Sequence, residues 1–107
     1  MLPKNTELGK LEYVEVIDYY DFPQFFSCKN ELGVTFLGLA IEDSPLTYLF
    51  GQVELETLSK RKLKIELPIK LLWWYANPIY RVEMFPTEDT ATLMTKEESD
   101  TLLEELR

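Results

Sequence analysis

Between Leu11 and Val53 four β-rich runs follow one another with only turn-length connections between them, and no other feature constrains the fold as strongly. Leu11–Ile17 (LEYVEVI) alternates in polarity and is rich in β-branched and aromatic residues, as a half-buried strand requires. In Tyr19-Tyr20-Asp21-Phe22-Pro23, Asp21 and Pro23 supply turn chemistry, and Pro23 has no amide to give to a ladder, so the chain should bend there. Gln24–Lys29 and Val34–Ile41 flank Asn30-Glu31-Leu32-Gly33, a four-residue hairpin connection with Asn and Gly at its ends. Val34–Ile41 is apolar at nearly every position, which predicts burial on both faces and hence a central strand. Gly38 in its middle predicts a bulge or the close approach of another element. Glu42-Asp43-Ser44-Pro45 forms the next turn, and Leu46–Val53 completes a four-strand antiparallel meander.

Beyond Val53 the apolar period changes. Glu54–Lys62 suits a short helix with an acidic first turn and a basic last turn, both favourable to the helix dipole. Leu63–Leu67 is ambiguous. Pro68 is well placed at a first helical turn, and Ile69, Leu72, Trp73 and Ala76 then fall on one helical face until Asn77-Pro78 stops the run. Ile79–Phe85 alternates as a strand, residues 86–90 read as a polar loop, and Ala91–Met94 adds a short strand. Thr95 and Glu98 have capping-box spacing at the start of a last helix whose buried stripe is Leu102, Leu103 and Leu106. Residues 1–9 read as a loose lead-in. The 107 residues suit one domain. The expected class is α+β: a mainly antiparallel sheet, made of the meander plus one or two later strands, with two short central helices and a C-terminal helix.

Several chemistries are excluded by what the chain lacks. It contains no histidine and one cysteine, Cys28, so Ser–His and Cys–His nucleophiles, an ordinary zinc site and an intrachain disulfide are all out of reach. Neither glycine-rich phosphate loop is present. Carboxylates remain: Asp18 with Asp21, Glu42 with Asp43, and Glu88 with Asp89. Each pair sits in or beside an expected turn, where acids are common because they solvate and cap. No catalytic residue, metal ligand or cofactor-binding residue is therefore assigned. The net charge of −8 disfavours unaided binding to a phosphate backbone. No apolar run has the length of a signal peptide or a membrane span, and the lone cysteine fits a reducing compartment, so the expected location is cytoplasmic.

Three places are candidates for partner binding. Lys60, Arg61, Lys62 and Lys64 gather four of the eleven cations into one cluster, which is either an interaction patch or a solvated helix end. Trp73-Trp74-Tyr75 cannot all face one core, because consecutive helical residues point about 100° apart. At least one ring, Trp74 or Tyr75, should then lie at the surface, and exposed Trp and Tyr beside cations is the composition of an interface hot spot. Tyr19 and Tyr20 beside Asp21 form a third candidate, against the simpler reading of two rings packed at a sheet corner.

The stretch from Tyr19 to Ile41 resembles an uncharacterised bacterial domain family in which a Y-D-x-P-x-x-F segment leads into a hairpin with an N-x-x-G turn and an apolar strand. The matching residues are Tyr20, Asp21, Pro23, Phe26, Asn30 and Gly33. The resemblance implies a bacterial or phage cytosolic origin and transfers no functional residue. The residues point to a non-enzymatic protein–protein interaction module: a small acidic partner protein such as an antitoxin, an immunity factor, a defence-system accessory subunit or an inhibitor, whose expected partner is another protein, the product of a nearby gene being one candidate. The alternatives are a homodimeric structural protein and a nucleic-acid-binding regulator using Lys60–Lys64.

Overall fold

A computed structural model describes residues 2–56 and 67–106. Six strands, β1 (Glu12–Tyr20), β2 (Phe22–Lys29), β3 (Thr35–Asp43), β4 (Leu46–Val53), β5 (Ile79–Met84) and β6 (Asp89–Leu93), form one antiparallel sheet in sequence order. Helix α1 (Pro68–Tyr75) connects β4 to β5, and α2 (Lys96–Leu106) closes the chain. The α+β class and the meander are as the residues predict. The helix expected over Glu54–Lys62 lies mostly outside the described residues, as does the Leu63–Leu67 stretch apart from Leu67; Leu55 and Glu56 are helical.

The hairpin between β2 and β3 is built by one side chain. Asn30 Oδ1 accepts from the amides of Leu32 and Val34, both at 3.0 Å, and Gly33 takes φ +82°, a conformation open to glycine. The first hairpin is tighter than the sequence implies. β1 runs on to Tyr20, and Asp21 alone, at φ +64°, reverses the chain before β2 starts at Phe22. Pro23 therefore sits inside a strand, tolerated because it adjoins a bulge where Gln24 has no partner on β1. β6 starts two residues earlier than expected, since a turn closed by the Phe85 amide on the Glu88 carbonyl returns the chain at once.

The sheet carries a core on each face. One face holds Phe25, Leu37, Leu49, Val53 and Ile79 under Leu71 and Leu72 of α1 and Leu103 of α2. Leu102 and Leu106 flank Leu103 as the expected stripe. Thr95 and Glu98 cap α2 reciprocally, each side chain bonding the other's amide at 3.1 Å, and these bonds hold the Glu98 carboxyl below its ordinary range.

The opposite face is aromatic: Phe26, Phe36, Tyr48 and Phe50 are buried with Cys28 and Val82. Phe26 is central, meeting Tyr13, Tyr48 and Phe50 edge-on at centroid distances of 5.1, 5.6 and 5.7 Å. The buried Tyr48 hydroxyl donates to the Pro23 carbonyl at 2.8 Å, and burial pushes its pKa up to about 12. Neither described helix covers this face. The opening residues do, which corrects their reading as a loose lead-in: Leu8 is buried among the rings and Asn30 Nδ2 donates to its carbonyl at 2.8 Å. An uncovered aromatic face would leave a large apolar area in water, so the lead-in is drawn onto it. The lone cysteine is buried there too, and burial alone pushes its thiol up to about 12. Iodoacetamide at mildly alkaline pH should accordingly leave Cys28 intact in the folded chain and alkylate it on denaturation; mass spectrometry of the two samples checks this.

Candidate functional site

Helix α1 positions the most exposed helical aromatics. Pro68 starts it, and the chain leaves it under tight control: the Ala76 amide bonds the Leu72 carbonyl at 3.1 Å. The Asn77 amide bonds the Gln52 carbonyl, and the Gln52 amide bonds the Pro78 carbonyl, each at 2.9 Å. The C-terminal end of α1 is thus tied to β4. Its rotation is set by Gly51 of β4. A Cβ at Gly51 would lie 2.4 Å from Ala76 Cβ and 2.7 Å from Leu72 Cδ2, so the i, i+4 pair Leu72–Ala76 rests on bare backbone.

That seating places Leu71 and Leu72 in the core and turns Trp73 and Trp74 outward, 37% and 57% exposed. Trp73 is a correction to the helical face expected from Ile69, Leu72, Trp73 and Ala76: Leu71 takes its place because the helix rolls to seat Leu72 on Gly51. Tyr75, a candidate partner residue, is half-buried and packs against the core. Its ring meets Trp74 edge-on, with centroids 6.3 Å apart, and Lys70 Nζ lies 5.8 Å from the Trp74 ring centre. Cation and neighbouring ring both lie within contact range of the Trp74 ring, each a weak attraction at an exposed site. Beside the rings a crevice of about 250 Å³ runs to the start of α2, where Lys96 and Asp100 pair at 3.7 Å.

The other candidates fall elsewhere. Tyr19 and Tyr20 are 65% and 76% exposed on β1, at the end of the sheet order and on a different element from Trp74. The Tyr19 hydroxyl donates to the Asp21 carbonyl at 3.2 Å, and Gln24 Nε2 donates to the Tyr20 carbonyl at 3.0 Å. The rings are therefore exposed at a hydrogen-bonded corner, not packed into it. Lys60, Arg61, Lys62 and Lys64 lie outside the described residues. Sequence reasoning missed Lys70 and left Trp73 inside. The i, i+4 spacing of Lys70 and Trp74 was a readable signal for the first; no sequence signal marks Gly51 as the seat that expels the second.

Carboxylates are dispersed or engaged. Glu42 pairs with Arg81 at 3.1 Å, and Asp89 Oδ2 accepts the Lys4 amide at 2.8 Å. Among the described residues no three acidic or cysteine side chains come together as metal ligands. A concavity of about 940 Å³ opens between the lead-in and the sheet, lined by Leu2, Pro3, Leu11, Tyr13 and Met84 together with Lys4 and Asp89. The sheet curls far enough for β1 and β5 to line one cleft. No helix among the described residues is long and apolar enough to cross a membrane.

The chain belongs to a family of unknown function (DUF6575), whose model matches residues 1–65. No curated protein and no solved structure matches it. The match spans the lead-in and the whole β1–β4 meander, including the Tyr20-to-Gly33 segment on which a resemblance to an uncharacterised domain family rests. The Trp73–Trp74 face lies beyond it.

Proposed function

We propose that this member of a family of unknown function is a non-enzymatic protein–protein interaction module, a small acidic bacterial or phage partner protein that docks through the Trp73–Trp74 face of α1. The observation that supports the reading is the two adjacent tryptophans turned to solvent on a helix seated over Gly51 and tied to β4 at its C-terminal end. A large ring held rigidly at a surface loses little freedom on binding and buries much area, which is why Trp dominates interface hot spots. A net charge of −8 directs such a face towards a neutral or basic protein.

The test is affinity capture from the native host with the folded chain as bait, followed by binding measurements on the captured protein. Trp74→Ala should weaken a stoichiometric complex by about 2 kcal/mol or more. The thermal midpoint should barely move, because an exposed ring away from the core contributes within about 0.5 kcal/mol of nothing to folding. Unaltered binding by Trp74→Ala would remove this face from the function; a collapse in stability would place Trp74 in the core.

A further inference from the structure

We propose that the outer edge of β1 accepts a short, extended, basic segment of another protein as an added strand. Among the described residues, β1 pairs with β2 on one side and ends the sheet order on the other. It is nine residues long, against five for β6 at the opposite edge. Val14, Val16, Tyr19 and Tyr20 are all exposed along it, an apolar series that a monomer's edge strand ordinarily avoids.

Charge selects the occupant. Glu12, Glu15 and Asp18 are exposed on the same strand, and no lysine or arginine occurs between Glu12 and Asp21. Lys29 of β2 pairs with Glu12 at 3.5 Å, while among the described residues no cation pairs with Glu15 or Asp18. A second copy of β1 laid antiparallel on the first would bring carboxylates against carboxylates, which is destabilising; lysines or arginines alternating with apolar residues would reverse the sign. Extra residues at Val14 and Ile17 bulge the strand and steepen its twist, which defeats a long flat partner edge and leaves room for a short flexible one. Backbone pairing would supply the affinity and side-chain alternation the choice of sequence, as in other strand additions.

The probe is a short synthetic peptide alternating lysine and valine, added to the full chain at low salt while amide hydrogen exchange is followed residue by residue. Exchange should slow by roughly tenfold at those amides of Glu12–Tyr20 that point away from β2, and the double variant Glu15→Lys with Asp18→Lys should weaken binding by roughly tenfold or more. Both positions are exposed, and circular dichroism checks that the variant folds. Three results would overturn the proposal: no slowing on β1, equal binding of a peptide of the same composition with alternating D and L residues, or slowing of β1 with protein concentration alone. The surface is separate from α1, so Trp74→Ala leaves the peptide result unchanged, and failure at either surface is distinguishable from failure at the other.

Discussion

Phe26→Ala should lower the free energy of unfolding by about 3–5 kcal/mol, the largest single effect expected in this chain. The ring is fully buried, and three other rings pack on it. Its removal opens a cavity on a face held together by ring contacts from β1, β2 and β4, where rigid neighbours cannot collapse to fill it. The same ring explains Gly38. A Cβ there would stand 2.4 Å from Phe26 Cζ and 2.5 Å from Cε2, so Gly38→Ala should cost about 1–3 kcal/mol by overpacking. The two effects are coupled. Phe26→Leu removes the ring atoms that would clash, so Gly38→Ala should cost less in the Phe26→Leu background than in the native chain. Urea unfolding of the four proteins of that cycle measures the coupling. Strict additivity would show that Gly38 is not glycine because of Phe26.

Gly51→Ala has the second large effect, and it joins stability to the candidate site. The added methyl would meet Ala76 Cβ and Leu72 Cδ2, both on α1, and the helix backbone has no slack because its exit is tied to Gln52. The helix must lift or roll, at about 1–3 kcal/mol, and Trp73 and Trp74 move with it. Chemical denaturation should show the loss, tryptophan emission of the folded state should shift, and partner capture should weaken although neither tryptophan is altered. Ala76→Gly in the same chain should recover part of the stability by vacating the nearer contact. A Gly51→Ala protein as stable as the native one, with unchanged emission, would mean that α1 does not rest on this glycine.

The legible parts of the fold were those whose signals are local. Asn30 and Gly33 announced their hairpin because the turn needs one side-chain acceptor and one positive φ, both written in those two residues. Thr95 and Glu98 announced α2 for the same reason. The nearly continuous apolar run of β3 placed it inside the sheet, and Gly38 was readable as a bulge or a close approach; the structure has the close approach, of Phe26, which the sequence did not name. The lead-in was misread because its polarity outweighs its two leucines, Leu2 and Leu8. Only the existence of an uncovered aromatic face makes Leu8 valuable, and which face the helices leave bare is not a local property.

The candidate site divides along the same line. Three consecutive rings on a helix cannot share one side, so an exposed ring in Trp73-Trp74-Tyr75 followed from helical geometry alone. Which rings face out did not, because the hydrophobic periodicity of IKLLWWYA accommodates more than one rotation of the helix. Contact with Gly51, 21 positions from Leu72 in the chain, decided it. The chain by itself determined the β1–β4 meander, the Asn30–Gly33 hairpin, the cap of α2 and the absence of histidine chemistry, since each depends on residues within a few positions of one another or on residue type alone. Tertiary structure decided the roll of α1, the burial of Leu8 and, among the described residues, the place of β1 at the end of the sheet, because those depend on which surfaces meet once the sheet has formed.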